Sequence, residues 1–139
     1  MADIRLLDTN TVSYIIKGKP ARVRENLQQF ALSDICISVI TEAELLRGVA
    51  KKPEAKHLPV AVNEFLLRVT IFPWDSKAAR AYAELRTACE KEGKNLGAMD
   101  MLIAAHSVAV GAILVTNDKA FLQLKKHLVI EDWTKKIQN

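Results

Sequence analysis

Apolar residues follow two rhythms along this chain. Short, nearly continuous runs occur at Ile4-Arg5-Leu6-Leu7, Ile35 to Ile40, Val69 to Phe72, Ala112 to Thr116 and Leu128-Val129-Ile130. Their length and β-branched content predict strands, several of them buried on both faces. Between them, apolar residues return every three or four positions, the spacing of amphipathic helices. Thr11 to Lys17 reads as a helix halted by Gly18-Lys19-Pro20, and Ala21 to Ala31 as a second with Val23, Leu27 and Phe30 on one side. Thr41 and Glu44 form a capping box opening a helix to about Lys51. A longer helix covers about Glu54 to Arg68, with Pro59 inside its span. Asp75 is placed to cap a helix from Ser76 to Glu92, which Gly93 ends. Met99 to Val110 and a short stretch from Lys119 complete the helices, and the charged tail from Lys135 to Asn139 is expected to fray.

The order is then β-α-α-β-α-α-β-α-α-β-α-β. Strands separated by helices pair in parallel through right-handed crossovers and are covered on both faces. The expected fold is α/β: a three-layer α/β/α sandwich around a central, mostly parallel sheet. With 139 residues, no repeats and no linker-like stretch, residues 1–139 are expected to form one domain.

Composition narrows the function without naming it. Half the residues are hydrophobic and 26% are charged, which excludes a disordered tail or a fibrous repeat. Cys36 and Cys89 form neither a CxxC pair nor a zinc spacing and read as small buried side chains, compatible with a reducing compartment. Met1-Ala2-Asp3 leads directly into the first strand, so no secretory leader is expected. The most lipid-like stretch, Met101 to Val115, is broken by His106, Ser107 and Gly111 and reads as a core helix running into a strand. His106 is expected to be a satisfied core residue. These features point to a soluble cytoplasmic protein.

Twenty Lys and Arg stand against 16 Asp and Glu, a net charge of +4. Four of those acids occupy positions with a common geometry. In an open parallel sheet, ligands bind beyond the carboxyl ends of the strands. Asp8 follows the first strand, Glu44 lies one turn beyond the second, and Asp118 follows Thr116-Asn117 at the end of the fourth. Asp100 opens the helix that feeds that strand. Each has a structural explanation as a helix cap or a helix-dipole partner. Four such roles have no need to meet at one edge, however. Converging carboxylates repel unless protonated or bridged by a cation, and an all-oxygen set favours Mg2+, with Mn2+ able to substitute. His57, His106 and His127 are dispersed, which disfavours zinc. Setting the four acids aside leaves 12 Asp and Glu against 20 Lys and Arg, a basic surround suited to a polyanion.

The segments Leu7-Asp8-Thr9-Asn10, Ile37 to Leu45, Gly97 to Ala105 and Val115-Thr116-Asn117-Asp118 closely resemble the PIN-domain ribonuclease toxins of the VapC type, in order and spacing. The likeness extends over nearly the whole chain. The resemblance implies a PIN-like fold and a magnesium-dependent endoribonuclease, acting as the toxin of a toxin–antitoxin pair. Asp8 and Asp100 match the family's principal metal positions, Glu44 and Asp118 the remaining acidic ones. Asn10, Thr116 and Asn117 fall at supporting polar positions. It further implies an RNA substrate, with tRNA and the initiator tRNA anticodon loop recurrent targets, a VapB-like antitoxin partner, a homodimer and no membrane association. Two other readings remain open on the residues alone. Asp8-Thr9-Asn10-Thr11 faintly echoes the nucleophile loop of haloacid dehalogenase phosphatases, though Asn10 stands where that loop carries a second Asp. A non-catalytic module binding nucleic acid or protein is the other.

Overall fold

The computed structural model describes residues 3–137. Strands β1 (Arg5–Leu7), β2 (Ile35–Ser38), β3 (Thr70–Phe72), β4 (Ile113–Val115) and β5 (Ile130–Glu131) form one sheet in the order β3-β2-β1-β4-β5. Every pairing is parallel. The helices are α1 (Thr9–Lys17), α2 (Ala21–Leu27), α3 (Val39–Ala50), α4 (Leu58–Arg68), α5 (Ser76–Lys91), α6 (Ala98–Val110) and α7 (Lys119–Leu122).

Strand alternation builds the two cores. Leu6, Cys36 and Leu114 point to one face and pack with Leu85 of α5, Ile103 of α6 and Phe121 of α7. Their chain neighbours Leu7, Ile35, Ile37 and Val115 point to the other, against Val12 of α1, Val23 of α2, Leu45 of α3 and Val62 of α4. Fully burying such side chains contributes about 1.5–3 kcal/mol each, which is why three- and four-residue strands hold this sheet together. The expected three-layer sandwich is the observed architecture.

Four details differ from the pattern-based expectation. β2 stops at Ser38, because the Ser38 hydroxyl accepts from the Ile40 amide at 3.0 Å and starts α3 there. α2 ends at Leu27 rather than Ala31, and Leu32–Asp34 forms a separate 3-10 turn. α4 begins at Leu58, which places Pro59 in the first turn, where its missing amide costs no helical hydrogen bond. β5 lies at Ile130–Glu131 and not at Leu128 to Ile130, with Glu131 drawn into place by Arg5.

Both cysteines are buried and unpaired, and burial pushes the Cys36 thiol up to about 12. His106 is buried and hydrogen-bonded, its Nδ1 lying 2.7 Å from Ser38 Oγ, as a core histidine requires. Among the described residues, no helix is long and apolar enough to cross a membrane. Of the tail expected to fray, the Lys135 carbonyl accepts from Asn26 Nδ2 at 2.8 Å. Gln138 and Asn139, like Met1 and Ala2 at the other end, lie outside the described residues.

Candidate active site at the carboxyl edge of the sheet

Asp8 leaves β1 with an extended backbone and caps α1, its Oδ1 accepting from the Thr11 amide at 2.8 Å. Its Oδ2 accepts from the Thr116 hydroxyl at 2.5 Å, and the residue is 2% exposed. Thr116 Oγ1 in turn accepts from the Asp118 amide at 3.0 Å. The ends of the two central, adjacent strands β1 and β4 are thereby tied to each other. Asp118 caps α7, accepting from the Ala120 amide at 2.9 Å. Asn117 Nδ2 donates to the Tyr14 hydroxyl at 3.3 Å, bracing the same loop against α1. Asn10 is exposed on the first turn of α1.

Glu44 is not in the expected capping box. With Ser38 as the N-cap, Thr41 is already the third residue of α3 and the box cannot form. The Glu44 carboxylate is instead oriented by a neighbouring helix, its Oε1 accepting from Thr9 Oγ1 at 2.5 Å. Thr9 Oγ1 also lies 3.2 Å from Thr41 Oγ1. Thr9 and Tyr14 are supports that pattern reading missed. The only hint was a hydroxyl directly after Asp8, without a sign of which distant acid it serves.

Asp100 sits in the first turn of α6, where Gly97 provides no side-chain cap. The helix dipole there favours negative charge. Burial first, and then the charges of Asp118, Glu44 and Asp8, together push its carboxyl up to about 6. Asp8 is raised too, by burial above all and by Asp118 to a lesser degree, against the hydrogen bonds from Thr116 and Thr11. Three acids from three other elements therefore act on the Asp100 carboxyl. Among the described residues, no three His, Cys, Asp or Glu side chains stand close enough to hold a metal ion as they are placed.

The PIN-domain family model matches residues 5–127. The chain belongs to the PIN-domain family. Within it, this PIN domain falls among the VapC ribonucleases. It is 37% identical to Ribonuclease VapC2 of Rickettsia felis over 95% of this chain and 99% of that one. It is 34% identical to the tRNA(fMet)-specific endonuclease VapC of Shigella flexneri, over 93% and 97%. Among solved structures, VapBC2 from Rickettsia felis bound to a promoter DNA fragment superposes with a TM-score of 0.84 at 35% identity, covering 94% of this chain and 98% of that one. DNA-bound VapBC from Salmonella typhimurium gives 0.85 at 32% identity, covering 95% and 99%. With the PIN domain shown, the phosphatase alternative falls away.

Proposed function

We propose that this PIN domain is a magnesium-dependent endoribonuclease, the toxin of a toxin–antitoxin pair, with tRNA as its substrate class. The observation that carries the reading is the arrival of Asp8, Glu44, Asp100 and Asp118 from four elements at the carboxyl edge of a PIN-domain sheet, where Thr116 and Thr9 orient two of them. Four oxygen-donor acids at one edge gain from a hard divalent cation that offsets their repulsion. Asp8 and Asp100 would be its principal holders, with Glu44 and Asp118 beside them, and binding would draw these side chains closer than they now stand. When bound, such an ion supplies charge neutralisation at the phosphoryl oxygens and lowers the pKa of water.

The remaining chemistry belongs to the chain. Asp8, held at both oxygens by Thr11 and Thr116, is a preorganised anchor that need not reorient during the reaction. Glu44, oriented by Thr9, would align the attacking water and accept its proton as the new oxygen–phosphorus bond forms, while the sugar oxygen that leaves as the ester bond breaks takes a proton from solvent. Asn10, Thr116 and Asn117 support the strand and the loops around the break.

Relatives solved as VapBC complexes support a VapB-like antitoxin partner; the proposal extends to a homodimer acting in the cytoplasm. We assign the antitoxin to the apolar groove of about 280 Å³ lined by Ile15, Ile16, Leu27, Leu32, Phe65 and Val69. Such a groove suits the apolar face of an amphipathic helix. The deciding experiment incubates the purified chain with total tRNA. Cleavage should disappear with EDTA and return with Mg2+ or Mn2+, and Asp8→Ala or Asp100→Ala should abolish it while leaving the circular dichroism spectrum intact. Full nuclease activity of either variant would refute the assignment.

A further inference from the structure

A second groove runs away from the carboxylate edge between α1, α3 and the start of α4, with a volume of about 160 Å³. Thr9 and Glu44, joined by their hydrogen bond, form one end of its lining. Lys17 and Lys52 also line it, Lys17 eight residues along α1 from Thr9, or about 12 Å at ~1.5 Å per helical residue, and Lys52 just past the C-terminal end of α3. Both lysines are exposed, and among the described residues neither has an ion-pair partner. The floor between is apolar, built from Ile16, Leu58 and Val62.

Gly48, on the wall of this groove, is a second and independent observation. It lies inside α3, where glycine costs about 0.5–1 kcal/mol relative to alanine. Its backbone is not left-handed, and a Cβ added there meets nothing within 4 Å. Neither backbone geometry nor packing within the chain calls for glycine. It leaves this stretch of α3 bare beside the groove. At about 160 Å³ the groove is smaller than the ~300 Å³ and more that encloses a small-molecule ligand, so it fits a strand lying across it.

We propose that this groove is a subsite for the RNA strand next to the cleaved bond, with Lys17 and Lys52 on a flanking phosphate and the nucleotide lying over Gly48 and the apolar floor. The proposal rests on the ribonuclease reading and adds to it the path of the substrate. Its positive end complements a phosphodiester backbone, and Glu44, one of the four acids of the proposed active site, lines its other end.

The test compares Lys17→Gln, Lys52→Gln and Gly48→Met with the unaltered chain, using Lys126→Gln, exposed ahead of β5, as the control. On total tRNA with Mg2+, the lysine variants should raise KM by about fivefold with kcat near the parent value. In an Asp8→Ala background, which leaves RNA uncut, each lysine replacement should lower the slope of log affinity against log salt by about 0.7 for a fluorescent single-stranded RNA. Gly48→Met should raise KM while its Tm stays equal or rises, since the added side chain fills open space and removes a helical glycine. Unchanged KM and salt slope in a chain that does cleave RNA would overturn the subsite and leave the ribonuclease reading standing. A changed oligomeric mass in Gly48→Met would overturn it in favour of a contact between copies. A parent chain that neither binds nor cuts RNA would remove the underlying reading itself.

Discussion

Asp100 bears the electrostatic cost of the site, since burial and then three neighbouring acids all oppose its ionisation. A carboxyl with a folded-state pKa of about 6, against an ordinary 3.8, binds its proton more tightly folded than unfolded. Between those values stability falls as pH rises, and above about 6 the full penalty is present. In metal-free buffer, Asp100→Asn should therefore raise Tm at pH 7.5, with the gain shrinking as pH falls to 5, where the native carboxyl is already mostly protonated. A Tm gain independent of pH would show that the neighbouring charges are not its cause. The same residues show where local reading reaches and stops. Asp8 and Asp118 are caps, as local pattern suggested, yet an ionised carboxylate has about four acceptor positions and a cap uses one of them. Capping and site roles coexist. The Thr41–Glu44 box was a plausible local match that Ser38 displaced by starting the helix three residues earlier.

Elements were legible where their signals are local and obscure where a distant partner decides. Asp75, Gly93 and Gly111 mark helix ends by their own chemistry, and the ends of α5 and α6 fall near them. The last strand runs one residue past its expected end at Ile130, to an anchor 126 positions away: Arg5 donates twice to the Glu131 carboxylate, at 2.8 and 3.1 Å. That same carboxylate accepts from Trp133 Nε1 at 2.6 Å, and the Trp133 ring stacks on Phe30 with centroids 5.5 Å apart. Asn26, 1% exposed, donates to the Trp133 carbonyl at 2.8 Å and so pins the C-terminal segment to α2. At 1% exposure Trp133 is core. Trp133→Ala should destabilise by about 3–5 kcal/mol in urea unfolding, through the cavity and the loss of the stack. A loss below 1 kcal/mol would mean that the segment docks without its anchor.

At the scale of the molecule, the strand order decides what four scattered acids can do. With β1 in the middle of β3-β2-β1-β4-β5, the ends of β1 and β4 are adjacent, and α3 leaves β2 on the other side of β1. The helix that feeds β4 brings Asp100 over the same edge, so Asp8, Glu44, Asp100 and Asp118 converge through topology rather than through sequence proximity. Helix and strand order made that topology inferable, and the family segments fixed which acids to watch. The hydroxyl supports and the spacing between carboxylates needed side-chain positions. Because the repulsion exists only in the folded chain, a cation that relieves it binds folded and not unfolded protein, and stability must rise with its concentration. At a hundredfold excess over its dissociation constant, Mg2+ should add about 2.7 kcal/mol, or roughly 10 °C in Tm for a chain of this size. Potassium chloride at matched ionic strength should not reproduce the rise, and Asp8→Ala should remove most of it. A magnesium response equal to that of potassium would mean that these four carboxylates, although they share one edge, do not share an ion.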